Sequence, residues 1–111
     1  MLKYVYIAGP YTNPDPVENT HNVIQVANQV IEAGFVPFVP HINLVWHLVT
    51  PKPPEFWYEW DLEWLERCDC LLRLPGESSG ADKEVERAKE LGIPVFDTVA
   101  KLALTRWDSK Y

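Results

Sequence analysis

Two carboxylates sit where amphipathic helices should be apolar. With side chains spaced about 100° apart per residue, the segment EFWYEWDLEWLERC gathers Glu55, Glu59, Glu63 and Glu66 on one side, as a solvated face requires. Asp61 falls opposite them, beside Trp57, Trp64, Leu65 and Cys68, a stripe suited to a core. The segment SGADKEVERAKELG repeats the anomaly: Asp82, Lys83, Glu86, Arg87, Lys89 and Glu90 share a polar arc, while Glu84 lies between Ala88 and Leu91. A buried carboxylate is unfavourable unless paired or hydrogen-bonded, and burial raises its pKa. Two such groups suit acid/base or nucleophilic chemistry. The structural alternatives are a tyrosine or backbone amide bonded to Glu84, and Arg73 or a Trp N–H bonded to Asp61.

The elements that must position these acids alternate between strand and helix. KYVYIA (Lys3 to Ala8) reads as a buried strand stopped by Gly9-Pro10. In DPVE, Asp15 is an N-cap, Pro16 fits the first helical position and Glu18 completes a capping box. That helix is expected from Pro16 to Ala33, with Val23, Ala27, Val30 and Ile31 inward and Gly34 as its stop. FVPFV is a second strand whose Pro37 argues for an edge position. From Pro40 to Pro54 an irregular loop is expected, with a helical turn around Asn43 to Val49. The Asp61 helix follows from Pro54 to Arg67, then a third strand, DCLLRL. The loop PGESSG leads into the Glu84 helix, Gly80 to Leu91. IPVF is a fourth strand, and Val99 to Asp108 a closing helix.

Strands separated by helices imply a parallel sheet covered on both faces, with ligands bound beyond the carboxyl ends of the strands. That rule gathers Gly9 to Thr12, Pro40 to Asn43 and Gly76 to Gly80. Gly9, Tyr11 and His41 are therefore candidate substrate-binding residues. Of the aromatics, Trp46, Trp57 and Trp60 read as core, whereas Tyr11 lies in a site loop. His41 and His47 have no HxxxH partner set and read as polar loop contacts. PGESSG opens onto a helix, so its amides and the hydroxyls of Ser78 and Ser79 make an anion site, or one serine simply caps the helix. No P-loop or dinucleotide fingerprint is present.

The 111 residues fit one domain, 1–111. A net charge of −6 argues against a nucleic-acid polymer as partner, since phosphate tracking needs a basic stripe. No apolar stretch approaches the roughly 18 residues of a membrane span and no leader pattern is visible, so no membrane partner and a cytoplasmic location are expected. Cys68 and Cys70, one residue apart, are read as free, semi-buried thiols rather than a disulfide or zinc site.

The runs YIAGP, DLEWLERCDCLL and SSGADKEVERAKELGIPV, taken together in order and spacing, resemble the nucleoside 2-deoxyribosyltransferase superfamily from about residue 3 to 96. The resemblance implies an α/β, three-layer flavodoxin-like (Rossmann-like) fold with a short parallel sheet of four to five strands. It also implies an enzyme, without cofactor or metal, that breaks or exchanges the N-glycosidic bond of deoxynucleosides. By position, Glu84 matches the nucleophile, with Ala88 four residues on. Asp61 matches the aspartate that contacts and helps protonate the base, and Tyr6 a first-strand tyrosine bonded to the nucleophile. Gly80 matches the glycine ahead of it, and Ser78 the position that contacts the sugar 5′ group. An aspartate there suits a free 5′-hydroxyl. Serine resembles the 2′-deoxynucleoside 5′-phosphate N-hydrolase branch, so a 5′-monophosphate is the preferred substrate. Glu77 and Pro10 depart from that pattern.

The implied mechanism is a covalent glycosyl-Glu84 intermediate with Asp61 as the acid at the base. A homo-oligomer is expected, because relatives often complete the pocket with a neighbouring subunit. The rival reading is a catalytically silent nucleotide-binding or interaction module on the same fold.

Overall fold

The computed structural model describes residues 3–105. The chain runs β1 (Tyr4–Ala8), α1 (Pro16–Glu32), β2 (Val36–Phe38), a 3-10 turn (Pro40–Ile42), α2 (Asn43–Val49), α3 (Pro54–Leu65), β3 (Cys70–Arg73), α4 (Ser79–Glu90), β4 (Val95–Phe96) and α5 (Val99–Leu104). All strand pairs are parallel, in the order β2-β1-β3-β4. This is a flavodoxin-like α/β fold with a four-stranded sheet.

The alternation of β1 builds both cores. Val5 and Ile7, with Cys70 and Leu72 of β3, meet Val23, Ala27 and Val30 of α1 and Leu102 of α5. Tyr6 and Ala8, with Leu71, face the other way, against Leu65 of α3 and Ala81 and Ala88 of α4. Each fully buried large aliphatic side chain contributes roughly 1.5–3 kcal/mol. β2 is an edge strand, where the missing N–H of Pro37 costs least.

Local sequence explains most boundaries. Asp15 is extended and accepts from Glu18 N at 2.8 Å, and Pro16 begins α1. Ile31, expected inward, is 56% exposed. The buried stripe is Asn19–Val23–Ala27–Val30, and Ile31, about 100° further round the helix from Val30, turns out of it. In the Pro40 to Pro54 stretch the helical turn expected around Asn43 to Val49 is present as α2, and a 3-10 turn precedes it where irregular loop was expected. α3 stops at Leu65, short of Arg67, and Trp64 is exposed rather than packed in its stripe. α5 starts where the closing helix was expected, with Thr98 Oγ1 accepting from Lys101 N at 3.0 Å, and ends at Leu104. Asp108, the expected end, lies outside the described residues. Cys68 and Cys70 are free, and burial pushes both thiols up to about 12, with Asp69 adding to the effect.

From β1 the chain crosses to β2 on one side, while β3 lies on the other. That reversal opens a crevice at the carboxyl ends of β1 and β3. The loops there meet closely: a Cβ on Gly76, whose φ is +116°, would lie 2.7 Å from Pro10 Cγ. Glycine relieves both constraints.

Candidate functional site

α4 begins at Ser78, whose extended backbone and Oγ, accepting from Ala81 N at 3.1 Å, form the N-cap. Its Ala81–Glu84–Ala88 stripe faces the sheet, so Glu84 is carried to Tyr6 of β1. Tyr6 is fully buried and its hydroxyl donates to Glu84 Oε2. Burial, followed by the charge of Glu84, raises the Tyr6 phenol well above its ordinary value, so it remains a donor. Arg73 fixes the preceding loop: its guanidinium donates to Leu74 O, to Gly76 O at 2.9 Å and to Asp82 Oδ1 at 3.0 Å. An Arg87–Glu66 pair at 2.9 Å joins α4 to the end of α3.

Asp61 projects from α3 and accepts from Asn43 Nδ2 of α2 at 2.9 Å. Its partner is thus neither Arg73 nor a Trp N–H. The indole of Trp57 donates instead to His47 Nδ1 at 2.9 Å.

Desolvation pushes the Glu84 carboxyl up to about 7, opposed by the Tyr6 hydrogen bond and the Arg73 charge. Asp61 is also pushed up to about 7, first by desolvation and then by the charge of Glu84, with Asn43 opposing. The two acids are coupled, so the values belong to the pair. Glu84 has a donor and a cation favouring its anion, and its charge then holds the proton on Asp61. The favoured singly ionised state is therefore ionised Glu84 beside protonated Asp61, one nucleophile and one acid.

Both acids line one cavity of about 400 Å³. Of the residues expected at the site, Gly9, Tyr11, His41, Ser78 and Gly80 line it too, and Tyr6 reaches it through Glu84. Ser79 does not line it. As the first residue of α4 it is turned about 100° from Ser78 and is exposed. Glu77 is also exposed and away from the lining.

His41 is 4% exposed, and its Nε2–H donates to Pro10 O at 2.8 Å, tying the turn after β2 to the loop after β1. Burial lowers its pKa, opposed by the Pro10 and Gly9 carbonyls. Its Nδ1 is buried without a partner among the described residues.

The cavity also takes in Asn43, at the end of one of the loops gathered by the parallel-sheet rule, and His47, Lys52, Trp57 and Tyr58, which lie outside those loops. The i, i+4 spacing of Asn43 and His47 was the available signal, weakened because the rest of α2 is apolar. Among the described residues there is no cluster of three or more His, Cys, Asp or Glu able to hold a metal ion. Nor is any helix there long and apolar enough to cross a membrane.

Residues 3–98 match the family described as Domain of unknown function (DUF7768). No curated protein matches the chain. Among solved structures, the chain is similar to a 2-deoxyribosyltransferase from Bacillus psychrosaccharolyticus, with a TM-score of 0.63 and 18% identity over 94% of this chain and 93% of that one. It is also similar to a 2-desoxiribosyltransferase from Leishmania mexicana, with a TM-score of 0.61 and 22% identity over 84% of this chain and 61% of that one. At these identities the likeness is one of fold. The chain belongs to the DUF7768 domain family, built on the fold of the nucleoside 2-deoxyribosyltransferases.

Proposed function

We propose that this chain, acting as a single domain, cleaves or transfers the N-glycosidic bond of 2′-deoxynucleosides, with their 5′-monophosphates preferred. The observation that carries the reading is the pairing of Tyr6-bonded Glu84 with Asp61 in one cavity of about 400 Å³. The likeness in fold to deoxyribosyltransferases supports the same class of reaction.

In this reading Glu84 attacks C1′ as the C1′–N bond breaks, and Asp61 delivers its proton to the departing base. The product of that step is a glycosyl ester of Glu84. Water or a second base then attacks C1′ and frees the Glu84 carboxylate. In either case Asp61 takes up the proton released, from the water or from the N–H of the incoming base, and the starting state is restored. Ser78 supports the 5′-monophosphate preference: its Oγ accepts from Ala81 N, leaving its hydroxyl proton to donate at the start of α4. A homo-oligomer in the cytoplasm completes the proposal.

The test is incubation with each deoxynucleoside and its 5′-monophosphate, measuring free base for the wild type and Glu84→Ala. Base release confined to the wild type is expected, faster from monophosphates. No release, and no transfer to an added base, leaves a silent nucleotide-binding module. Release from nucleosides alone removes the role given to Ser78.

A further inference from the structure

His47 is held by two donors on the same ring nitrogen. Its Nδ1 accepts from the Trp57 indole at 2.9 Å and from the backbone N–H of Lys52 at 3.2 Å. Neither group can accept a hydrogen bond, so Nδ1 carries a lone pair and the ring hydrogen sits on Nε2. No protein group among the described residues takes up that Nε2–H. His47 is among the residues lining the cavity that holds Asp61 and Glu84. It lies one helical turn beyond Asn43, which holds Asp61, so both residues share the inward side of α2.

We propose that His47 is a specificity-determining residue that reads the base through a fixed Nε2–H donor, so that oxo bases are favoured over their amino counterparts. The inference rests on the nucleoside-cleaving reading and assigns the base end of the same cavity. The protonated Asp61 carboxyl and the His47 Nε2–H make that end rich in donors. A 6-oxopurine presents adjacent O6 and N7 acceptors, whereas adenine places an N6 amino donor beside N7. Thymine O4 and cytosine N4 differ in the same way. An amino base would set N–H against N–H and leave both unpaired in a confined site.

The experiment compares kcat/KM for deoxyinosine against deoxyadenosine, and thymidine against deoxycytidine. The wild type should favour the oxo partner by about tenfold or more, a ratio His47→Phe reduces to nearly one. His47→Gln places an amide N–H near the same point and should retain much of the preference. Binding of free hypoxanthine and adenine, measured by calorimetry, separates this inference from the enzymatic reading. A hypoxanthine preference lost in His47→Phe sustains the role of His47 even where no nucleoside is cleaved. Equal or absent binding of the two bases by the wild type overturns it, as does a ratio unchanged in His47→Phe. Independently of any variant that fails to fold, ¹⁵N NMR of histidine-labelled wild-type protein reads the tautomer directly. Only three histidines are present, and the His47 signals should report Nε2–H; hydrogen on Nδ1 sinks the proposal.

Discussion

The two faces of the sheet receive alternate residues of the same five-residue strand and use them differently. Val5 and Ile7 are fully buried against α1 and α5, in a core closed by aliphatic side chains. Tyr6 is equally buried on the opposite face, yet its hydroxyl ends on the carboxylate of Glu84. Burial therefore does not distinguish the core from the site. What differs is whether the buried groups are apolar, and gain from leaving water, or ionisable, and are retuned by leaving it. The first face should govern stability and the second activity.

Glu84→Gln should give the largest effect: a loss of base release of roughly 10³-fold or more. Its stability should behave oppositely to that of a core truncation. The folded pKa of Glu84, about 7, lies above its ordinary 4.5, so protonation favours the fold. That contribution is fully present below pH 4.5 and lost as pH rises through about 7, and Asp61 acts in the same direction from 3.8 upward. Urea midpoints of the wild type should fall across this window. The variant should show a shallower fall and, above pH 7, a gain on the order of 2 kcal/mol. A destabilised variant at pH 8 would show that the Glu84 carboxylate stabilises the fold as a core side chain does.

Ile7→Ala, one residue along β1 from Tyr6, should remove about 2–5 kcal/mol of stability while leaving turnover per folded molecule unchanged. Urea unfolding alongside active-site titration checks both halves. Tyr6→Phe should have the smallest effect and sharpen the contrast most. It removes a hydrogen bond that lowers the Glu84 pKa, so the rising limb of the pH–rate profile should move to higher pH. Activity at pH 7 should fall roughly tenfold, with a stability change of about 1 kcal/mol. An unmoved limb would remove the Tyr6–Glu84 bond from the mechanism.

Much of the fold was legible in the residues because local chemistry and global fold agree there. Asp15-Pro16 marks the start of α1, Pro37 an edge, and the alternation in YVYIA two covered faces. The misplaced acids of two helices gave away their inward direction, and the parallel-sheet rule gathered the loops that line the cavity. α2 was harder to read because no polar face opposes an apolar one. Ile42, Val45, Leu48 and Val49 at and along it are exposed, while Asn43 and His47 turn toward the cavity. The Asn43–Asp61 bond spans 18 positions between different helices, and no local pattern encodes such a partner. Trp57 read as core for a related reason: its indole is packed against His47 and also lines the cavity.

The order of strands in the sheet differs from their order of synthesis. β1 is made first and finds β2 within about a helix's length, since Tyr4 pairs with Val36. Its other edge waits for β3, where Val5 pairs with Cys70. Such long-range pairing slows folding and leaves an apolar edge open in the meantime. On the ribosome, a nascent chain that has not yet delivered β3 holds Tyr6 on a half-built sheet, and Glu84 emerges later still. Most of the chain is therefore synthesised before the chemistry exists, and the carboxylate pair is complete only once α4 has been made.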